Sequence, residues 1–128
     1  MGLEFDIDVA SPPGGVSWVP AKRYFTQFDD ALGQDWTGRI WMNPPFSKVT
    51  PWVEKFILHG NGVTLLPIAK SKFIDLITNA SDGMVMLPAY MKFKGPNKLG
   101  MIRFPCGLFA IGEENVEGIA KVGRLFIP

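Results

Sequence analysis

The tightest constraint in this chain is the stretch Arg39-Ile40-Trp41-Met42-Asn43-Pro44-Pro45-Phe46-Ser47. A short apolar run containing a β-branched residue and an aromatic reads as the end of a buried strand when turn-formers follow at once. Pro44 and Pro45 end it: neither has an N–H, both hold φ near about −65°, and each pushes the residue before it out of the helical region. The result is a stiff extended corner rich in acceptors. Asn43 offers a side-chain carbonyl, and the backbone carbonyls of Asn43 and Pro44 face no following N–H that a ladder could use. Phe46 adds a flat ring alongside. Such a corner is suited to gripping an NH2 by both hydrogens while the attached planar group stacks on Phe46, so that the nitrogen lone pair is free to attack an electrophile. The plain alternative is a strand followed by a proline-rich turn.

The rest of the chain is organised around that corner. Phe5-Asp6-Ile7-Asp8-Val9-Ala10-Ser11 alternates apolar and acidic and runs into Pro12-Pro13-Gly14-Gly15, which predicts a short strand ending at a turn. Asp6 and Asp8 then share a face, which is either solvated or puts Asp8 at the carboxyl end of a central strand, where open α/β sheets take their ligands. Lys22–Thr26 reads as a second strand, too close to the first for a crossover helix. Asp29-Asp30 suits a cap or a turn, and Asp30 is also placed to accept from the amino group of a bound heterocycle. Trp36 reads as core.

After the corner, Val49–Leu58 predicts a helix with Thr50 as N-cap, Pro51 at the first helical position and Glu54 closing a capping box. Trp52, Val53, Phe56 and Ile57 mark its buried stripe, and His59 is a charge partner for its carboxyl end. Gly60-Asn61-Gly62 stops it before a buried strand, Val63–Pro67. A second helix follows over Ser71–Ile77, then an edge strand over Met84–Leu87 and Tyr90–Phe93. A loop over Gly95–Gly100 returns the chain into Gly107–Gly112, so residues 90–111 read as a hairpin. Glu113–Ala120 is a short helix and Arg124–Ile127 a last strand. Together these describe one α/β domain with a mostly parallel sheet and an antiparallel C-terminal hairpin.

Composition narrows the function classes. Of 128 residues, 47% are hydrophobic, which argues for a packed domain rather than disorder. No apolar run reaches bilayer-spanning length, and Met1-Gly2-Leu3-Glu4-Phe5-Asp6 lacks a basic start, so no membrane association and a cytoplasmic location are expected. One cysteine and one histidine leave no cysteine/histidine zinc set, and no metal is expected. The net charge of +1 is unevenly spread. Residues 1–40 carry Glu4, Asp6, Asp8, Asp29, Asp30 and Asp35, whereas Gly83–Gly112 has no acid and holds Lys92, Lys94, Lys98 and Arg103. One face is thereby suited to phosphates and another to a ligand bearing positive charge, although a solvated loop would carry as many cations. Trp18 and Met91 read as core.

Several of these stretches, in this order and spacing, resemble the phage-type DNA N6-adenine methyltransferases, which use S-adenosylmethionine. The resemblance rests on Phe5–Ser11, on Arg23-Tyr24-Phe25-Thr26 with Asp30 and Leu32, on Asp35-Trp36-Thr37-Gly38-Arg39, on Trp41–Phe46 and on Leu65-Leu66-Pro67. Lys92-Phe93-Lys94-Gly95 and Ile102-Arg103-Phe104-Pro105 add to it less specifically. It implies a Rossmann-like class I methyltransferase sheet over residues 1–128. Asn43, Pro44, Pro45 and Phe46 would be the catalytic motif, with Phe46 where the family usually has tyrosine. Asp8 would lie near the methionine part of the cofactor and Asp30 at its adenine amino group, with Ser11 and Thr26 lining the same pocket. Lys92, Lys94, Lys98 and Arg103 would contact DNA phosphates, and the target adenine would be flipped from its stack. The resemblance also implies departures. The family's usual opening segment that closes over the cofactor is not expected here, nor is a separate target-recognition domain, and Ile68-Ala69-Lys70-Ser71-Lys72 replaces an Arg-Thr-rich loop. Asn-Pro-Pro-aromatic motifs also serve methylation of RNA or of protein glutamine, and a non-catalytic binding module on the same fold is the remaining alternative.

Overall fold

The computed structural model describes residues 1–15, 19–87, 105–128 and, as backbone alone, 91, 92, 101 and 102. The order of elements is β1 (Phe5–Asp8), β2 (Ala21–Tyr24), a 3-10 turn (Ala31–Gly33), β3 (Ile40–Met42), α1 (Thr50–His59), β4 (Gly62–Pro67), α2 (Lys72–Ala80), β5 (Gly83–Met86), β6 (Met91–Lys92), β7 (Met101–Ile102), β8 (Cys106–Ile111), α3 (Glu113–Ala120) and β9 (Leu125–Phe126). Seven strands form a mixed sheet in the order β2-β1-β3-β4-β8-β5-β9. The pairs β1·β2, β1·β3 and β3·β4 are parallel. The pairs β4·β8, β5·β8 and β5·β9 are antiparallel.

Strand alternation divides the core between the two faces. Ile40, Met42, Leu66 and Phe109 face α1 and α2, where Val53, Phe56 and Ile77 are buried. Trp41, Val63, Leu65, Leu108 and Ala110 face the other way and pack with Ile119 and Val116 of α3. The amino end of β3 is tied to α3 by Arg39. Its Nε donates to Asn115 Oδ1 at 2.5 Å and its Nη2 pairs with Glu114. The buried Asn115 in turn donates to Asn61 Oδ1 and to the Ile111 carbonyl. The amide of the buried Asn115 is thus paired at both its oxygen and its nitrogen, as burial requires.

Four expectations need correction. First, α1 starts one residue earlier than expected: Val49 occupies the N-cap, Thr50 is already helical, and no side-chain capping bond forms. The Val53 N–H bonds to the Val49 carbonyl instead, and Pro51 within the first turn needs no partner for its missing N–H. Second, β5 is not an edge, because β9 pairs along its outer side. Third, residues 90–111 do not form a single hairpin. β6 and β7 pair with each other in a separate two-stranded sheet, while β8 inserts between β4 and β5. Fourth, the seven-stranded sheet is mixed, with as many antiparallel as parallel pairings. Trp18, Tyr90, Lys94, Lys98, Arg103, the Gly95–Gly100 loop and the side chains of Met91 and Lys92 lie outside the described residues.

Candidate functional site

Because β2, β1, β3 and β4 run parallel, their carboxyl ends fall on one edge of the sheet. The chain leaves β1 for β2 on one side and then crosses to β3 on the other, so the edge has its topological switch point at β1/β3. Ligands of open α/β sheets bind in such a crevice. Hydrogen bonds stitch the departing segments together: Phe25 N–H to the Asp8 carbonyl at 2.8 Å, Ser11 N–H to the Phe25 carbonyl at 2.8 Å, and Val9 N–H to the Trp41 carbonyl at 3.0 Å.

At the end of β3 stands the proline corner. Asn43 is half-buried, Pro44 is buried, and Pro45 and Phe46 are exposed, Phe46 to 38%. Among the described residues no group donates to the Asn43 side chain or to the backbone carbonyls of Asn43 and Pro44. The next carbonyl, that of Pro45, accepts from Lys48 N–H at 3.3 Å and closes the turn. The bared acceptors are therefore those expected from the missing proline N–H groups. Beneath them, the wholly buried Thr64 donates its hydroxyl to the Met42 carbonyl at 2.9 Å.

Asp8, at the end of the neighbouring strand, is 3% exposed. Among the described residues its carboxylate accepts one hydrogen bond, from Ala10 N–H at 3.3 Å, and no described cation pairs with it. Burial disfavours the charged form and pushes its pKa up to about 6, against a small opposing pull from the Ala10 N–H. Asp6, two residues back, is the contrast. It accepts from Arg39 N–H at 2.8 Å and lies 3.5 Å from Lys22, and the Arg39 bond foremost lowers its pKa. Alternation alone does not distinguish the two carboxylates; their strand neighbours do.

Thr26 and Asp30 lie on the segment leaving β2. The hydroxyl of Thr26 is committed locally, donating to Asp29 Oδ2 at 3.1 Å and accepting from Phe28 N–H at 3.2 Å. Asp29 also accepts from Thr26 N–H at 2.7 Å, so Thr26 and Asp29 together shape the turn that presents Asp30. Asp30 is exposed and left-handed at φ 48°, a conformation that aspartate tolerates better than most residues. Ser11 is buried and donates its hydroxyl to the Pro12 carbonyl at 2.8 Å. The edge thus gathers Asp8, Ser11, Thr26, Asp30 and Asn43–Phe46.

Sequence reasoning misses three contributors. Thr64 has a visible signal, a single hydroxyl in an otherwise apolar strand. Asp29 reads in sequence only as part of an acidic pair. Lys55 of α1 has no signal, yet its Nζ donates to the carbonyls of Leu32 at 2.9 Å and Gln34 at 2.6 Å and lies over the Trp36 ring. Trp36 is core as expected, and its Nε1–H holds the Ala31 carbonyl at 2.9 Å. His59 donates from Nε2 to the Gly38 carbonyl at 2.6 Å.

An α/β domain whose switch point carries bared acceptors and a buried carboxylate with no cation partner among the described residues belongs to the ligand-binding class of such sheets. Comparison with known proteins makes this specific. Residues 2–82 match DNA N-6-adenine-methyltransferase (Dam), and the chain belongs to that family. The DNA N-6-adenine-methyltransferase of Haemophilus phage HP1 is 32% identical over an alignment of 69 residues that covers 50% of this chain and 38% of that protein. The chain thus spans well under half of this relative's length. No solved structure matches it.

Proposed function

We propose that this chain transfers a methyl group from S-adenosylmethionine to the N6 amino group of an adenine in DNA, the base being rotated out of its stack. The observation that carries the reading is the bared Asn43–Pro44 corner on the same edge as a buried Asp8 with no cation partner among the described residues, in a chain of this family. The sheet would then be Rossmann-like and of class I, with residues 1–128 a single methyltransferase domain.

The residues present fit the cofactor. An ionised carboxylate in apolar surroundings is costly and favours a cationic ligand, and S-adenosylmethionine carries an ammonium and a sulfonium. Asp8 would face that positive part, with Ser11 beside it. The exposed Asp30 carboxylate would accept from the adenine amino group, on the turn shaped by Thr26. When bound, the cofactor supplies an electrophilic methyl carbon.

Adenine N6 is a poor nucleophile because its lone pair is delocalised into the ring. Asn43 Oδ1 and the Pro44 carbonyl would accept its two N–H bonds, drawing the nitrogen toward a tetrahedral shape and restoring the lone pair. The corner's rigidity matters because orientation supplies much of the rate in such transfers. Phe46 would stack on the flipped base in place of its neighbours in the duplex. Lys92, Lys94, Lys98 and Arg103 would hold phosphates, whose contacts position without specifying sequence. The cytoplasm, where DNA and cofactor meet, is the expected location.

The test is incubation with labelled S-adenosylmethionine and unmodified DNA, followed by digestion and mass spectrometry. N6-Methyladenine is the expected product. Asn43→Ala abolishes its formation while calorimetry finds cofactor binding within about twofold of wild type, as for a group that contacts the target base and not the cofactor. Undiminished turnover in Asn43→Ala refutes the mechanism. Label appearing in RNA or on protein glutamine, with none in DNA, refutes the substrate.

A further inference from the structure

Strand β4 is Gly62-Val63-Thr64-Leu65-Leu66-Pro67, and Thr64 is its only polar side chain. It is fully buried at 0% exposure, and its register partner across the ladder is Met42, the last residue of β3. A valine would fill the same volume without the cost of burying a hydroxyl. The hydroxyl therefore contributes through what it holds, the Met42 carbonyl at 2.9 Å. That carbonyl and the Asn43 nitrogen belong to one planar peptide unit, so fixing the direction of the first fixes the direction in which Asn43 leaves the sheet. Beyond Asn43 the two prolines have little freedom of their own, and any tilt of this peptide is passed on to the Pro44 carbonyl and to Phe46.

We infer that Thr64 is a positioning residue for the Asn43–Pro44 acceptors, acting through the Met42–Asn43 peptide. The inference rests on the reading of that corner as the methyl-transfer site. It also has a structural readout that does not depend on activity.

The experiment compares wild type with Thr64→Val, Thr64→Ser and Thr64→Ala. Turnover of Thr64→Val falls by about tenfold to a hundredfold, the loss that a misplacement on the order of 1 Å produces. Its KM for the cofactor stays within about twofold, because cofactor binding does not use the corner's alignment. Thr64→Ser restores turnover to within about threefold of wild type. In NMR spectra the Asn43 backbone and side-chain amide signals move in Thr64→Val and return in Thr64→Ser. Should Thr64→Val fail to fold, the Ser and Ala variants, which differ only in the hydroxyl, make the same comparison, with Ala slow and Ser active. Wild-type turnover in Thr64→Val, or equal turnover in the Ser and Ala variants, overturns the inference, as do Asn43 signals that stay in place in Thr64→Val. A wild-type protein that forms no N6-methyladenine instead removes the proposed function, and the Asn43 signals still decide whether Thr64 orients the corner.

Discussion

Asp8→Asn should make the ligand-free protein more stable at neutral pH and, on the proposed function, worse at binding S-adenosylmethionine. The folded pKa of Asp8 is about 6 against an ordinary value of 3.8, because burial penalises the carboxylate. A raised folded pKa means that the protonated form is favoured in the native state. That contribution is complete below pH 3.8 and disappears as the pH rises through about 6. At pH 7 the native protein therefore carries a charge that disfavours folding by about 3 kcal/mol, since each tenfold bias against ionisation costs about 1.4 kcal/mol. Part of it returns as the pH falls from 7 to 5 and the carboxylate takes up its proton. The assay is urea denaturation of both proteins from pH 4 to 8, taken as a difference. Subtracting matters because Asp6, with its lowered pKa, loses stability over the acid range and would mask the trend. The expected difference favours the Asn variant at pH 7 and shrinks steadily toward pH 4. A difference independent of pH would show that Asp8 is solvated, and one that disfavours the Asn variant at pH 7 would show that it is paired; either outcome would remove the argument that its charge awaits a cation. Calorimetry with S-adenosylmethionine completes the test, with affinity in Asp8→Asn expected to drop by at least about tenfold for a lost charge pair.

Two further predictions concern the scaffold. Lys55→Met removes both bonds to the carbonyls of the turn that carries Asp30, so cofactor affinity should fall by about threefold to tenfold while turnover of the saturated enzyme holds; a change confined to turnover would refute this role. Gly62→Ala drives a Cβ into the Ile40 backbone carbonyl of the neighbouring strand. Backbone cannot swing aside as a side chain can, so the change should cost about 2–3 kcal/mol, and unchanged stability in denaturant would refute the close approach.

Local chemistry explains which parts of the molecule are readable beforehand. The end of β3 at Met42 follows from two adjacent prolines, and the carboxyl end of α1 from Gly60, left-handed at φ 77°. Asp8, Ser11, Thr26, Asp30 and Asn43–Phe46 fall on one edge because each ends or follows a strand whose direction the parallel pattern fixes. What is not readable depends on partners distant in sequence. The pairing of β8 with both β4 and β5 has no local signature, so β5 reads as an edge and residues 90–111 as one hairpin. The start of α1 is misplaced because Thr50 has the chemistry of a cap but already lies in the first turn. Lys55 looks like any solvated helix lysine, since its carbonyl partners belong to a turn that only tertiary packing brings near.

The antiparallel insertion of β8 has a consequence for the order of assembly. Its six register pairs, from Gly62↔Ile111 to Pro67↔Cys106, close the open side of the central strand β4. A nascent chain that has left the ribosome only as far as residue 82 contains the whole family-matching segment, yet β4 still has a bare, largely apolar flank. Such flanks invite pairing with other chains. The acceptor corner is thus encoded early but secured late, when a strand synthesised well after it slides in beside its support.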